Sequence, residues 1–214
     1  VYKRQVDYYP KSYTYFEKYY PKDGDNNLHG KRVREFCRDN YGVLWIGTED
    51  GGLNRFNLNT KEFSFFAPSA GFTNIHGLCL VDDKLWVGTF SKGLKIIDTR
   101  TGTVLKTYQK NSSPRSLIDN SIFAICRTAT GDIYLGTMFG LVKYNKQSDD
   151  FDRIPELNGK FVYDIKEDSG GNIWLATYAN GAYCYNVNDR KWKNYVHDEK
   201  DTTSCLLYTS PSPR

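Results

Sequence analysis

The sequence predicts an all-β fold. Three observations support this: a repeat with a period near 40 residues, an aromatic-rich composition, and turns rich in Gly, Asp and Asn between short apolar runs. Aromatic residues make up 15% of the 214 residues, and the chain has 18 glycines and one methionine. This composition suits short pleated strands better than helices built from Leu, Ala and Met. We expect a β-propeller fragment of four four-stranded antiparallel blades plus the tail of a preceding blade.

The repeat occurs four times along the chain. Each copy has an apolar opening residue, a second strand centred on an aromatic residue, and a threonine that ends this strand; the threonines Thr48, Thr89, Thr137 and Thr177 are 41, 48 and 40 positions apart. Such a period is typical of propeller blades and related arrays. The predicted segments are, in chain order, an outer strand of a preceding blade with its connector at 6–32, blades at 33–74, 75–121 and 122–161, and a blade with the start of the next connector at 162–204.

The two ends of the chain are predicted to be non-native. Val1–Gln5 (VYKRQ) and Cys205–Arg214 (CLLYTSPSPR) read as translated transposase-end and adapter sequence from sequencing-library preparation. The formal net charge of +4 includes three cations of these ends, Lys3, Arg4 and Arg214. The other basic residues are scattered among acids, so no nucleic-acid partner is expected. No apolar run reaches the roughly 18 residues that would span a bilayer, so no membrane contact by this segment is expected.

Four aromatic residues occupy one repeat position and are expected to form the structural core between blades. A single four-stranded blade cannot bury both of its faces alone, so each ring is expected to pack against the next blade. A sugar-stacking role for these rings is the alternative interpretation. The four residues are Trp45, Trp86, Tyr134 and Trp174.

A second repeat position carries the candidate ligand-binding residues. Directly after the opening apolar residue of each copy stand Arg34, His76, Phe123 and Tyr163. Blade packing favours similar residues at equivalent positions, whereas these four differ in chemistry. We predict that they line the mouth of the central channel, where propellers commonly bind ligands. The alternative is that they are unrelated side chains at loop edges.

The sequence shows no pattern of catalytic, metal-binding or cofactor-binding residues. The histidines lie in different repeats or connectors, and no HExxH, GxSxG or phosphate-binding loop occurs. A glycosidase carboxylate pair stays open, because such a pair is defined by spatial separation. The cysteines Cys37, Cys79, Cys126 and Cys184 form no CxxC pair, and we expect free thiols. No catalytic residue, metal or cofactor is predicted for this segment.

The best-formed repeat, Val33 to Asn57, has the pattern V-x-x-I/F-x-x-D-x-x-G-x-L-W-I-G-T-x-x-G-G-L-x-R-F/Y-N. This pattern resembles the two-component regulator propeller repeat, and the match covers nearly all of the chain between the two non-native ends. The other copies depart from the pattern at a few positions: a shortened turn at 82–84, Tyr134 in place of Trp, and Ala176 and Ala182 where Gly and Leu are expected.

The resemblance implies a function in signalling. Proteins with this repeat resemble the periplasmic sensor half of Bacteroidota hybrid two-component systems, in which propellers precede an immunoglobulin-like domain, a membrane helix and a histidine kinase. The resemblance therefore implies that this chain is a periplasmic ligand-sensing module with an oligosaccharide ligand. The phosphorelay chemistry would lie outside this chain. The expected partners are the remaining blades of the propeller and, for the whole protein, a dimer. The alternatives are a catalytic propeller, such as a polysaccharide lyase or glycoside hydrolase, and a purely structural interaction platform.

Overall fold

The described residues of the computed structural model are 17–21, 24, 26–66, 71–72 and 74–198, and they form four antiparallel four-stranded sheets. Besides strands, they include a 3₁₀ helix at Pro155–Leu157. The strands are β1 (Val33–Arg38), β2 (Val43–Thr48), β3 (Leu53–Asn57), β4 (Phe63–Phe66), β5 (Ile75–Val81), β6 (Lys84–Thr89), β7 (Leu94–Asp98), β8 (Val104–Tyr108), β9 (Ile122–Arg127), β10 (Ile133–Thr137), β11 (Gly140–Asn145), β12 (Asp150–Arg153), β13 (Val162–Glu167), β14 (Ile173–Thr177), β15 (Ala182–Asn186) and β16 (Lys191–Tyr195).

Each sheet is a simple meander in which consecutive strands are neighbours. The four sheets contact one another mainly through their first strands: β1 contacts β5, β5 contacts β9, and β9 contacts β13. The second strand of each of the first three sheets also contacts the first strand of the next sheet. Sheets that approach at their first strands are blades around a common axis. The predicted all-β fold of four antiparallel four-stranded blades is confirmed.

The core lies between successive blades because side chains on a strand alternate between its two faces. On β6, Leu85 and Val87 pack against Trp45 of the first blade, whereas Trp86 points the other way and packs with β10 residues of the third blade. The same alternation recurs on β10, where Tyr134 faces the fourth blade. The second strands of the two middle blades, β6 and β10, therefore present an aliphatic face to the preceding blade and an aromatic residue to the following one.

The aromatic repeat position is buried in three blades and exposed in the fourth. Trp45, Trp86 and Tyr134 are 0%, 5% and 8% exposed. The expectation that Trp174 is buried is wrong, since this residue is 38% exposed. The cause is that no fifth sheet follows within the described residues to cover its face. The Trp174 ring instead stacks on Tyr195, with ring centroids 5.5 Å apart.

The turn after each second strand is closed by one recurring hydrogen bond. The threonine that ends the strand donates its hydroxyl proton to the carbonyl oxygen of the turn glycine, as between Thr48 and Gly52 at 2.8 Å and between Thr89 and Gly93 at 2.8 Å. Gly93 has a φ of +74°, and a Cβ at this position would meet the Tyr108 carbonyl oxygen at 2.1 Å. Only glycine satisfies both conditions, as the repeat pattern predicts.

Several sequence predictions concern the segments before and after the four blades. Residues 17–21, part of the predicted strand of a preceding blade, are not in a strand, and Tyr19 packs on Phe56 with ring centroids 4.9 Å apart. The predicted non-native ends at 1–5 and 205–214, and residues 6–16, lie outside the described residues.

Cys37, Cys79, Cys126 and Cys184 are free thiols. No helix among the described residues is long and apolar enough to cross a membrane.

Candidate functional site

Each first strand contains one β-bulge, and the extra residue is in every case the candidate residue that follows the opening apolar position. In the first blade Val33 pairs with Thr48 and Glu35 pairs with Gly47, so that the register skips Arg34. The same skip leaves His76, Phe123 and Tyr163 outside their ladders. A bulge redirects the side chain of the extra residue away from the regular alternation.

The four bulge side chains line one cleft of about 520 Å³, which we call the bulge cleft. Arg34, His76, Phe123 and Tyr163 each come from a different blade. The residues after the bulges also line the cleft; they are Glu35, Gly77, Ala124 and Asp164. The two middle blades thus contribute small residues and the two flanking blades contribute carboxylates. The structure therefore brings the four sequence-predicted residues together.

A larger cleft, of about 750 Å³, lies between the second and third blades and does not contain these residues. It is lined by residues of the turns that connect first and second strands, at the opposite ends of the strands from the bulges. Four of its charged residues form two ion pairs, Arg127 with Asp82 at 3.3 Å and Lys143 with Asp132 at 2.8 Å. We take the bulge cleft as the candidate site because its side chains converge from all four blades.

One half of the bulge cleft is aromatic, and Phe123 is at the centre of that half. Ring centroids of His76, Phe161 and Tyr163 lie 4.6, 4.4 and 5.8 Å from that of Phe123. Tyr178 extends the cluster, 5.7 Å from Phe161. Tyr163 is 47% exposed and Tyr178 is 70% exposed, whereas Phe123 is buried beneath them. The cluster therefore presents aromatic surface to solvent on a buried aromatic support.

A recurring backbone hydrogen bond positions the outer members of this cluster. The residue after each repeat threonine donates its N–H to the carbonyl oxygen of the residue before the first strand, as from Phe90 to Asn74 at 3.0 Å and from Tyr178 to Phe161 at 2.9 Å. Phe90 belongs to the cluster because its ring centroid lies 5.8 Å from that of Phe123. The sequence did not predict a role for Phe90, Phe161 or Tyr178. The sequence feature that could have indicated them is the same as for the bulge residues: side chains at equivalent repeat positions differ in chemistry.

The other half of the bulge cleft is charged. The Glu49 carboxylate accepts hydrogen bonds from Arg34 at 2.7 Å and from Arg32 at 3.2 Å. The Arg34 hydrogen bond is the main cause of a lowered pKa at Glu49. Asp164 pairs with Lys166 at 3.3 Å. With Glu35 included, these ions are three acids and three bases, so this half carries little net charge.

Burial affects the ionisation of two further groups in the bulge cleft. It raises the pKa of Glu35, because a carboxylate loses hydration there. It lowers the pKa of His76, and the positive charge of Arg34 adds to this effect. His76 is therefore neutral at pH 7, with one nitrogen able to donate a hydrogen bond and the other able to accept one. Among the described residues, no three or more His, Cys, Asp or Glu side chains are grouped to hold a metal ion.

The repeat geometry agrees with a comparison against protein families. Three segments, 27–50, 116–139 and 156–179, match the model described as "Two component regulator propeller". Each of these three segments is thus similar to a two-component regulator propeller repeat. Each matched segment contains a bulge residue, Arg34, Phe123 or Tyr163. In this chain the bulge therefore recurs in every segment that matches the regulator propeller model, whereas the side chain on it varies.

Similar proteins are found among curated relatives and solved structures. The chain is 32% identical over 147 residues to histidine kinase P4 of Formosa agariphila, covering 63% of this chain and 11% of that protein. It is also similar to the extracellular domains of two B. thetaiotaomicron proteins described as hybrid two-component systems. One has a TM-score of 0.66 and 21% identity, with 79% of this chain and 25% of that chain covered. The other has a TM-score of 0.58 and 19% identity, with 88% and 30% covered. The chain thus spans a small part of the relatives it matches.

Proposed function

We propose that this chain is the ligand-sensing propeller module of a membrane-spanning histidine kinase signalling protein, and that an oligosaccharide binds in the bulge cleft. One observation carries the proposal: four bulges on four blades direct four different side chains into one cleft. A purely structural role for the bulges gives no reason for their side chains to differ, since equivalent positions in the core between blades carry similar residues.

The chemistry of the bulge cleft suits a sugar. The exposed rings of Tyr163, which lines the cleft, and of Tyr178, which lies beside it against Phe161, offer apolar faces against which the C–H face of a pyranose can pack. Glu35 and Asp164 supply carboxylate oxygens that accept hydrogen bonds from hydroxyl groups, and neutral His76 can donate or accept. Apolar walls with a few polar groups that fix orientation are typical of small-molecule sites.

The position of the bulge cleft supports a route from binding to signalling. A ligand that contacts residues of all four blades stabilises the blade arrangement that best fits it, and so shifts the population of blade packings. The names of the relatives, a histidine kinase and two extracellular domains, support placing this module in the periplasm and its kinase elsewhere in the whole protein. The phosphorelay itself would then lie outside this chain.

Binding measurements on the chain test this proposal. The chain is screened on an array of oligosaccharides, and each hit is titrated against the wild type, Tyr163→Ala and Tyr178→Ala. We expect at least about a tenfold increase in Kd for both variants, which corresponds to a loss of about 1.4 kcal/mol of binding free energy when the ring is removed. Tyr41→Ala is the matched control, because Tyr41 is an exposed aromatic residue on the turn between β1 and β2, away from the cleft.

Two results would contradict the proposal. If no oligosaccharide binds, or if the Tyr163 and Tyr178 variants bind as well as the Tyr41 control, the bulge cleft is not the ligand site. Analysis of the bound oligosaccharide after incubation addresses the catalytic alternative. We expect the oligosaccharide to be recovered intact, and shortened or unsaturated products would identify a catalytic propeller instead.

A further inference from the structure

We infer that the bulge cleft selects uncharged oligosaccharides over acidic ones of the same length and linkage. This inference rests on the proposed function and names the ligand class of the same site. It follows from how the charged half of the bulge cleft is paired, together with the aromatic surface of the other half.

The arginines at the bulge cleft are already engaged by a carboxylate of the chain. Arg34 donates from both Nε and Nη2 to Oε2 of Glu49, at 3.2 and 2.7 Å. Arg32 donates to the other carboxylate oxygen at 3.2 Å. Glu49 thus occupies the fork of Arg34 that would otherwise bind the carboxylate or sulfate of an acidic sugar. An acidic ligand would have to displace Glu49 and leave its negative charge beside the ligand.

The carboxylates that line the bulge cleft oppose a negative ligand more directly. Glu35 and Asp164 lie on the strands β1 and β13 that flank the cleft. Burial is the main cause of the raised pKa of Glu35; the charge of Lys166 lowers this pKa and the charge of Asp164 raises it. Asp164 forms an ion pair with Lys166 at 3.3 Å, and the Lys166 side chain is 77% exposed. A solvated lysine screens a neighbouring carboxylate only weakly. The negative charges of Glu35 and Asp164 repel an anionic ligand that lies between them, and so select against it.

The remaining contacts require no charge on the ligand. His76, Phe123, Phe161 and Tyr163 form a continuous set of rings, and Tyr178 carries it outward. Packing of sugar C–H groups on these rings is the same for a neutral hexose and a uronate. The difference between the two ligand classes therefore arises only in the charged half, which disfavours the uronate.

The experiment compares ligands that differ in charge alone. Oligogalacturonides, oligomannuronides and oligoglucuronides of four to six residues are titrated into the chain before and after chemical reduction of their carboxyl groups. Reduction keeps the linkage and length and converts each uronate into the neutral hexose. Neutral oligosaccharides found by the array screen, and their sulfated derivatives, are measured in the same way. We expect the neutral member of each binding pair to have a Kd at least about tenfold lower.

A charge variant tests the role of Glu49. Glu49→Gln frees Arg32 and Arg34, and should reduce the preference for the neutral ligand at least about fivefold by strengthening binding of the acidic member. Glu62→Gln is the matched control, since it makes the same change in net charge at an exposed carboxylate on the turn between β3 and β4. We expect the control to keep the wild-type preference.

The outcomes separate this inference from the function on which it rests. Equal or tighter binding of the acidic members overturns the charge selectivity and leaves the ligand site in place. If Glu49→Gln and Glu62→Gln change the preference equally, net charge sets the selectivity and the Arg34–Glu49 pair does not. This result would also overturn the inference. Binding of neither class removes the proposed function itself.

Discussion

Gly88 of the second blade lies against Ile122, the residue that opens the first strand of the third blade. A Cβ placed on Gly88 would meet Ile122 Cγ2 at 2.7 Å, and the equivalent distances are 2.6 Å from Gly47 to Ile75 Cγ2 and 2.8 Å from Gly136 to Val162 Cγ1. Successive blades can therefore approach each other this closely only because the repeat has glycine at this position. At the equivalent position of the fourth blade stands Ala176, which is exposed and has no following sheet within the described residues.

We expect Gly88→Ala to destabilise the chain by about 1–3 kcal/mol, because the added methyl group overpacks the contact with Ile122. Chemical denaturation measures the loss. Ile122→Ala removes the clashing methyl group but leaves a cavity, so the double variant should lose less stability than the two single variants combined. Strictly additive losses would show that Gly88 is required for a reason other than its contact with Ile122.

Asp39 joins the first turn of its blade to the core, and its removal should be costly. Its buried carboxylate accepts N–H groups from Tyr41 and Val43 and from the Trp45 indole, each at 2.9 Å. We expect Asp39→Ala to cost about 2–3 kcal/mol, since it leaves buried donors without an acceptor. Asp168→Ala removes the equivalent bond to Trp174, which is exposed to water, and should cost clearly less. Equal losses in denaturation experiments would contradict this account of burial.

The stability of the chain should fall between about pH 4 and pH 2. The Arg115 guanidinium lowers the pKa of Asp150 to about 2, below the value of about 3.9 for an unfolded aspartate. This stabilisation is therefore present above about pH 4 and is lost as the pH falls toward 2. In thermal melts over this range, Asp150→Asn should show a smaller decrease in Tm than the wild type. Asp189→Asn, at an exposed turn carboxylate, should follow the wild type, and identical profiles for all three proteins would refute the prediction.

The native thiols should react slowly. Burial raises the pKa of Cys37 to about 11 and also raises the pKa values of Cys79 and Cys126. Since the thiolate is the reactive form, iodoacetamide at pH 8 should label these residues much more slowly in the folded chain than in denaturant. Peptide mass spectrometry under denaturing, non-reducing conditions should find label on Cys37, Cys79, Cys126 and Cys184. A disulfide-linked peptide containing any of them would contradict the free-thiol assignment.

The exposed aromatic face of the fourth blade should cause self-association. Trp174 and Tyr195 are both exposed on this sheet, and their rings stack on each other. Exposed apolar patches of this kind favour contact between molecules. Light scattering should show concentration-dependent association that Trp174→Gln reduces and Tyr41→Gln does not. A monodisperse wild-type monomer at the same concentrations would show that the face is stable in water.

The sequence predicted the strands and blades well because both follow from local periodicity and turn chemistry. It also indicated Arg34, His76, Phe123 and Tyr163, because their diversity at an equivalent position has no packing explanation. It could not predict the bulge that brings them together, since a register skip depends on the pairing of two strands. The contact of Arg34 with Glu49 joins β1 to the turn after β2 and was missed for the same reason.

Burial of the aromatic position shows a further limit of the sequence. Trp174 has the same local pattern as Trp45, and both donate an indole N–H to the turn aspartate at 2.9 Å. Their different exposure arises from the presence or absence of a neighbouring sheet within the described residues, which no local pattern records.

The most direct test of the central claim is chemical-shift mapping of a bound oligosaccharide on the isotopically labelled chain. The account predicts that amide shifts on titration concentrate at the bulge residues Arg34, His76, Phe123 and Tyr163 and their strand neighbours, with little change at the turns that line the larger cleft. Shifts concentrated around Asp82, Arg127 and Lys143, with the bulge residues unchanged, would contradict it.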